Sequence, residues 1–280
     1  MISFLGTGLL GANFTRALLR RGERVNVWNR TAAKAQALEQ EGAKAFTSVA
    51  EAVKGSTRIH LTLSDDKAVD EVLDNASENI EQGVFIIDHT TTSVDGAARR
   101  SRSWSERGIH YIHAPVFMGP PNALESTGTM LISGNQELIA EVEPELSKMT
   151  GKLWNLGDRP EKAAAIKLLG NLFHVCLAGG VADMITLAGT LNIPAPEISS
   201  LLELLNPGAV AQGRLKKITS NTFDQPMWEL SMARKDARLM MEQAEKTGKT
   251  LNVVPAVARK MDKWIEKGRG NADWTIFSQE

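Results

Sequence analysis

The stretch ISFLGTGLLGANFTRALLRRG, residues 2–22, decides the fold of the first half of the chain. A short apolar run leads into Gly6, Gly8 and Gly11, which fit G-x-G-x-x-G, and helical periodicity then continues to Gly22. This glycine spacing is a weak signal alone, but here it follows a strand and opens a helix, as the mechanism requires. The three glycines would permit a tight turn, close approach of a pyrophosphate, and packing of the helix on the strand. The stretch therefore predicts a dinucleotide site at a helix N-terminus, a ligand-free glycine turn being the alternative.

The end of the next apolar run, RVNVW at residues 24–28, indicates which dinucleotide is bound. A protein that prefers NAD places Asp or Glu there to accept a hydrogen bond from the ribose 2′-hydroxyl. This chain has Asn29, Arg30 and Thr31, so no carboxylate repels a 2′-phosphate and a guanidinium can bind it in a bidentate manner. The sequence favours NADP(H) over NAD(H), unless Arg30 is an ordinary solvated arginine.

Apolar runs alternate with helical patterns through the rest of the first half. RIHLTL (58–63), GVFIID (83–88) and GIHYIHAPV (108–116) are typical of strands, and residues 67–75 and 94–107 of amphipathic helices. This alternation predicts an α/β fold with a doubly wound, Rossmann-type parallel sheet over residues 1–158.

Polar or irregular segments follow three of the predicted strands, where ligands of such sheets bind. They are LSDD (63–66), DHTTTS (88–93) and HAPVFMGPPNA (113–123). Asp65 and Asp66 fit a cofactor role and a helix N-cap equally well. Pro120 and Pro121 indicate an irregular loop.

The second half of the chain is predicted to be a helical domain, residues 159–280, because strand signals stop after GKLWNLGD (151–158). Its first helix, about residues 160 to 191, is too apolar for a surface helix, so we expect it in a core or a subunit interface. Lys167, Asn171 and His174 lie on one face of this helix, at i, i+4 and i+7. Lys167 therefore either extends to the surface or faces a cleft where its charge is used.

Composition narrows the class of protein. The chain has 280 residues, 42% of them hydrophobic and 23% charged, which is typical of a globular protein. A formal net charge of -1 gives no electrostatic case for binding nucleic acid or an anionic membrane. The one cysteine, Cys176, excludes an internal disulfide and a multi-cysteine metal site. No secretory signal or uninterrupted membrane span is recognisable, so we expect a cytoplasmic protein with a small-molecule substrate and no metal.

Several motifs together resemble the β-hydroxyacid dehydrogenase family, which is related to 6-phosphogluconate dehydrogenase. They occur in family order over essentially the whole chain: FLGTGLLGANFTRALL, VWNRTAAKA, DHTTTS, HAPV, KLLGN, RKDARLMMEQA and KGRGNADW. The resemblance, closest in type to 3-hydroxyisobutyrate dehydrogenase, implies a Rossmann domain, a long connecting helix and an all-α C-terminal domain. It implies hydride transfer between nicotinamide and a small carbonyl or β-hydroxy acid type of substrate. It also implies a homodimer or homotetramer formed through the helical domain.

The resemblance also assigns site residues. The catalytic lysine and asparagine of the family match Lys167 and Asn171, and a lysine that approaches the cofactor matches Lys235, beside Asp236. Together, motifs and resemblance give these cofactor-binding residues: Gly6, Thr7, Gly8, Leu9, Leu10, Gly11, Asn29, Arg30, Thr31, Leu63, Ser64, Asp65 and Thr91.

The substrate loop departs from the family pattern D-A-P-V-S-G-G, in which serine and glycine amides hold a substrate carboxylate. Phe117 stands for the serine and Met118 for a glycine. Either Asn122, Ser126 and Thr127 replace the lost donors, or the pocket accepts a bulkier, more apolar compound. The expected substrate contacts are Phe117, Met118, Gly119, Asn122 and His174, although His174 also fits a histidine of the core.

In the expected mechanism Lys167 donates a proton to the carbonyl oxygen during reduction and accepts it during oxidation, while Asn171 orients it or binds substrate. Burial would lower the lysine pKa from its ordinary ~10.4. Imine reductases share the fold and the NRT signal but usually lack the lysine. Retention of Lys167 therefore favours carbonyl chemistry over imine reduction, and over a non-catalytic cofactor-binding module.

Overall fold

The structure is a computed structural model that describes all 280 residues, Met1–Glu280. The chain divides into two compact units, Met1–Asn171 and Leu172–Glu280. The division lies inside a long helix, whereas the sequence had suggested a boundary between residues 158 and 159. The reason is that the start of this helix packs on the first unit, where Ala163 is fully buried with Leu131 and Leu156.

The predicted parallel sheet forms the centre of the first unit, and it has six strands, one of which the sequence did not reveal. Across the sheet the order is β3-β2-β1-β4-β5-β6, and every neighbouring pair is parallel. This is the doubly wound order, with its switch point between β1 and β4. The strands are β1 (Ile2–Leu5), β2 (Val25–Trp28), β3 (Lys44–Phe46), β4 (Arg58–Leu61), β5 (Phe85–Asp88) and β6 (His110–His113).

Helices connect these strands, and three of them begin at a residue whose side chain accepts a free backbone N–H. They are α1 (Leu9–Arg20), α2 (Ala32–Gln36), α3 (Val49–Val53), α4 (Asp66–Ala76) and α5 (Val94–Ser105). Ser48, Asp65 and Ser93 cap α3, α4 and α5, each side-chain oxygen accepting the N–H three residues later at 3.4, 2.8 and 3.1 Å. Adjacent strand residues face opposite sides of the sheet, so Phe4 packs in one core with α1 and Leu5 in another with α3 and α4.

A second, three-stranded sheet in the first unit was not predicted. Its order is β7-β8-β9, with β7 antiparallel and β9 parallel to β8. The elements are β7 (Val116–Phe117), α6 (Pro120–Glu125), β8 (Thr129–Ile132), α7 (Gln136–Leu146) and β9 (Lys152–Asn155). The prediction of an irregular loop at Pro120 and Pro121 was wrong, because proline needs no N–H donor in the first turn of a helix.

The second unit is helical, as predicted. Its elements are α8 (Lys162–Thr190), which begins in the first unit, α9 (Ala195–Leu205), α10 (Pro207–Ser220), α11 (Leu230–Glu245), α12 (Val254–Glu266) and a 3-10 turn at Trp274–Ser278. Asp183 of α8 is buried, and its carboxylate accepts N–H bonds from Asn252, Val253 and Val254 at 2.6, 2.8 and 3.2 Å. This acid therefore joins α8 to the N-terminus of α12.

The helix α8 is long and apolar enough to cross a membrane by length and composition alone. It has 29 residues and a mean hydropathy of 1.6 over its most apolar stretch, of which only 11% is buried within the chain. Much of the apolar surface of α8 is therefore exposed in the single chain.

Candidate cofactor and catalytic site

The glycine loop between β1 and α1 has the geometry that its motif predicts. Gly6 has a φ of +92°, which disfavours side chains, and a Cβ there would lie 2.9 Å from Leu63 Cδ2. A Cβ on Gly11 would overlap the Gly6 carbonyl oxygen. Nothing lies within 4 Å of a Cβ on Gly8. Packing therefore requires the first and third glycines, and the second leaves open space at the N-terminus of α1, where a phosphate would bind.

A cleft of about 500 Å³ opens beside this loop, at the carboxyl ends of β1, β2 and β4. Seven predicted cofactor residues line it: Gly6, Gly8, Asn29, Arg30, Thr31, Leu63 and Ser64. Leu63, Ala68 and Val72 give it an apolar wall, which suits an adenine ring. The structure thus provides both the polar and the apolar contacts that a dinucleotide needs.

The end of β2 supplies two cations to this cleft. Arg30 and Lys34 are exposed on its wall, and the ion pairs of the chain include neither. Asn29 carries no charge, and its side chain stabilises the loop. Its Oδ1 accepts from Thr7 N–H and its Nδ2 donates to the Thr31 carbonyl, both at 3.0 Å. Sequence analysis did not identify Lys34 as a cofactor contact, although its position four residues after Arg30 could have indicated this.

A second cleft, of about 330 Å³, shares Gly8, Leu63 and Ser64 with the first. The predicted residues Leu9, Leu10, Gly11 and Thr91 line it, together with His89 and Thr90, which were not predicted. Leu63 N–H donates to Thr90 Oγ1 at 3.0 Å, which ties the end of β4 to the end of β5.

Two residues named as cofactor contacts have hydrogen-bond partners within the chain. Asp65 lines neither cleft, and its carboxylate accepts from Ala68 N–H at 2.8 Å and from Ser64 Oγ at 3.0 Å. The Ala68 bond lowers the pKa of Asp65, as expected for a helix cap. Thr7 is buried and contributes its backbone N–H to Asn29. For Asp65, the structure supports the N-cap interpretation.

Buried histidines form a hydrogen-bonded chain that reaches the second cleft. Arg58 Nε donates to His60 Nε2 at 2.9 Å, so the proton of His60 is on Nδ1. His60 Nδ1 then donates to His89 Nε2 at 2.9 Å, and His89 Nδ1 donates to the Ala114 carbonyl at 2.8 Å. Each ring is neutral in this arrangement. Burial lowers the pKa of His89 to about 4 and that of His60 well below its usual range.

We expect these histidines to make the fold sensitive to mild acid. Below about pH 6.5 the unfolded chain protonates each histidine while the folded chain does not, so the free energy of unfolding falls as pH falls toward 4. For His89 the loss is about 2 kcal/mol at pH 5. Burial lowers the pKa of His113 too, which acts in the same direction. Urea unfolding at pH 7 and pH 5 measures the effect.

His89→Gln should remove part of this pH dependence. His110→Gln is the matched control, because His110 is half-buried at the start of β6, away from the chain of histidines. Equal unfolding free energies at pH 7 and pH 5 in the parent would contradict the prediction.

Lys167 lies over an aromatic ring of the substrate loop. Its Nζ is 4.3 Å from the ring centroid of Phe117, at the end of β7. Gly170, one turn further along α8, makes room for the ring, since a Cβ there would lie 2.6 Å from Phe117 Cε1. Lys167 is half-buried, and this burial lowers its pKa from the ordinary 10.5. Asn171 follows on the same helix face, also half-buried.

Polar side chains of the substrate loop have partners within the loop and at the end of α1. Asn122 Oδ1 accepts from Gly119 N–H at 2.8 Å, and its Nδ2 donates to Thr127 Oγ1 at 3.0 Å. Ser126 Oγ accepts from the Arg21 guanidinium at 3.0 Å. Met118 is half-buried against the core of the first unit. One amide donor of Asn122 is therefore engaged, which weighs against the hypothesis that Asn122, Ser126 and Thr127 replace the lost substrate donors.

Two predicted site residues belong to the second unit. His174 is on the exposed surface of α8, and Lys235 on α11 forms an ion pair of 2.8 Å with the neighbouring Asp236. The Lys235 side chain is exposed.

Comparison with known proteins identifies the family. Residues 1–157 match the family model described as the NAD binding domain of 6-phosphogluconate dehydrogenase. The chain belongs to this family. It is 23% identical to an uncharacterized oxidoreductase of Bacillus subtilis, YfjR, over 99% of this chain and 98% of that protein. It is 25% identical to glyoxylate/succinic semialdehyde reductase 1 of Arabidopsis thaliana, over 98% and 96% of the two chains.

The fold also matches that of a solved enzyme. An imine reductase from Myxococcus stipitatus, in complex with NADP+, superposes with a TM-score of 0.86 over 100% of this chain and 99% of that one, at 22% identity. The predicted β-hydroxyacid dehydrogenase-like family and the class of NAD(P)-binding oxidoreductase are thereby confirmed.

Proposed function

We propose that the protein is an NADP(H)-dependent dehydrogenase or reductase acting on a small carbonyl compound, with Lys167 as general acid and base. One observation carries this proposal: a half-buried lysine that has no carboxylate partner and whose pKa is lowered by burial. It lies in a chain whose first unit has an intact dinucleotide cleft.

The chemistry divides between the cofactor and the chain. NADPH, when bound, supplies the hydride that reduces the carbonyl carbon. Lys167 Nζ donates a proton to the carbonyl oxygen as negative charge develops there, and accepts it in the reverse direction. A lowered pKa makes the ammonium a stronger acid and the amine a usable base nearer neutral pH. Asn171, one turn further, is placed to orient the lysine or bind the substrate oxygen.

A preference for NADP(H) is supported by the cations at the end of β2. Arg30 and Lys34 are unpaired on the cleft wall, and Asn29 stands where a carboxylate would select NAD. The imine reductase from Myxococcus stipitatus, which has this fold, was solved with NADP+.

Arg30→Ala should weaken NADPH binding by about 10- to 100-fold, because a charge-assisted bond to phosphate contributes roughly 1.5–3 kcal/mol. NADH has no 2′-phosphate, so its affinity should change little. Lys34→Ala should act in the same direction, and Lys54→Ala, an exposed lysine outside both clefts, serves as the control. Fluorescence titration of both reduced cofactors measures this. Equal affinity of the parent for NADH and NADPH, unchanged in Arg30→Ala, would refute the preference.

Imine reduction is the second candidate. It is favoured by Phe117, which places an aromatic ring beside Lys167 where the family resemblance expects a polar residue. NADPH consumption with aldehydes, keto acids and cyclic imines separates the two reactions. Turnover of imines alone would select the second candidate, and turnover of none would favour a cofactor-binding module.

We propose further that the chain forms a homodimer or homotetramer through α8 and the second unit. Leu169, Leu172 and Val175 are 60%, 60% and 71% exposed on α8, which is more apolar surface than a single chain leaves uncovered. Lipid is a poorer partner for this surface than protein, because Lys167 and the buried carboxylate of Asp183 interrupt the helix.

Light scattering across a dilution series should give at least twice the 30.5 kDa of one chain. Val175→Asp should shift the measured mass toward that of a single chain, because it would bury a charge in the interface. Trp154→Asp, at an exposed aromatic of β9 in the first unit, is the control. A 30.5 kDa species of the parent at micromolar concentration would overturn the proposal.

A further inference from the structure

Phe117 presents an apolar surface beside the proposed proton donor. The ring packs on a small core of Leu131, Leu156 and Ala163, and the Lys167 ammonium lies over it at 4.3 Å. The lysine beside the ring is half-buried, and this burial lowers its pKa, so the ammonium gives up its proton more readily than in water. Gly170 has no side chain where the ring packs, which fixes the ring close to α8.

Two backbone N–H groups of the segment after Phe117 are already bonded within the chain and are not free to hold a carboxylate. Gly119 N–H is bonded to Asn122 Oδ1 at 2.8 Å, and Thr127 N–H to the Asn122 carbonyl at 2.9 Å. The Asn122 amide donates to Thr127 Oγ1. The Gly119 bond closes the first turn of α6 and the Thr127 bond lies at its C-terminal end, so using either N–H for a ligand would open one end of this helix. A carboxylate against the aromatic ring would lose its hydration. One that reached the Lys167 ammonium would pair with it and raise the lysine pKa, which weakens the proton donor.

We propose that the substrate is a neutral carbonyl compound with no carboxylate beside the reacting group, and that Phe117 sets this preference. The proposal rests on the proposed function and specifies its substrate class. In reduction the carbonyl carbon gains a hydride from NADPH and the oxygen gains a proton from Lys167 Nζ. The products are an alcohol, NADP+ and a neutral lysine, which regains its proton from water.

A matched pair of aldehydes tests the preference: succinic semialdehyde, which carries a carboxylate, and its methyl ester, which does not. NADPH oxidation gives kcat/KM for each, and calorimetry with the NADP+-saturated protein gives binding without turnover. We expect the ester to be preferred by about 10-fold or more, the usual worth of one mismatched group in a pocket. Phe117→Ser should bring the ratio of kcat/KM for the ester to kcat/KM for the acid near one. Phe117→Leu should keep this ratio above one.

A pH profile adds a readout that a purely structural role would not change. Phe117→Ser should admit water beside Lys167, raise its pKa toward the ordinary value and shift the basic limb of the profile to higher pH. Phe85→Ser is the control, because Phe85 lies at the amino end of β5, away from the clefts. It should change neither the ratio nor the profile.

The outcomes separate this inference from the proposed function. A parent that binds and reduces both aldehydes equally, or prefers the acid, overturns the inference and leaves the function standing. Absence of binding by both aldehydes overturns the inference as well. Preferential binding of the ester without NADPH oxidation supports the inference and refutes the proposed function.

Discussion

Lys167→Ala should lower turnover by about 10² to 10⁴, the usual worth of a positioned acid or base. The variant should still fold, because Lys167 is only half-buried and its loss leaves no carboxylate unpaired. It should also bind NADPH like the parent, since the glycine loop and Arg30 lie at the ends of β1 and β2. Steady-state and single-turnover rates, together with NADPH titration and circular dichroism, measure these three properties.

Substitution by arginine distinguishes proton transfer from a structural role. Lys167→Arg should not restore turnover, because a guanidinium does not readily release its proton. If the side chain merely reached the surface, arginine would be tolerated and alanine would change turnover little. Asn171→Ala should cause a smaller loss, and Lys162→Ala, an exposed lysine at the start of α8, should cause none. Near-parent turnover in Lys167→Ala would leave the family assignment valid for the fold and place imine reduction first.

Five strands of the parallel sheet could be predicted because their signals are local. Each long strand is an apolar run, and the glycine spacing sits directly between β1 and α1. The strand β3 escaped prediction because it has three partly exposed residues and no apolar run. The second sheet escaped for another reason: β7 has two residues, and it pairs with a strand that begins at Thr129, across the helix α6. Such pairing depends on tertiary contacts that no window of sequence contains.

The site was predictable where backbone conformation requires a residue type, and less so where a side chain has two uses. Glycine is required at position 6 by the turn and at position 11 by close packing, and neither residue has another role that would compete with this interpretation. Asp65 and Asn122 carry oxygens that serve equally as helix caps or as ligand contacts, and only the structure shows the capping bonds. His89 was not predicted at all, because a histidine after a strand does not indicate hydrogen bonds to His60 and to the Ala114 carbonyl. These bonds hold His89 at the cleft.

Arg100→Ala should lower the free energy of unfolding by about 3–5 kcal/mol, the usual cost of breaking a buried charge network and leaving a cavity. Arg100 is 1% exposed although it lies on an amphipathic helix. Its guanidinium donates to Asp66 at 2.5 Å, to Asp70 at 3.1 Å and to the Tyr111 hydroxyl at 3.1 Å. Tyr111 in turn donates to Asp88 at 2.6 Å. The network therefore joins α4, α5, β5 and β6.

Arg99→Ala provides a matched control from the same helix, since Arg99 also donates to Asp70, at 2.6 Å, but is 58% exposed. Solvent screens such a pair, so its loss should cost less than about 1 kcal/mol. Arg100→Met, which keeps apolar volume but no donors, should lie between the alanine variant and the parent. Urea unfolding of the variants at neutral pH gives the comparison. Equal losses in Arg99→Ala and Arg100→Ala would show that burial adds nothing to this network, and that Arg100 stabilises the unit no more than an exposed arginine does.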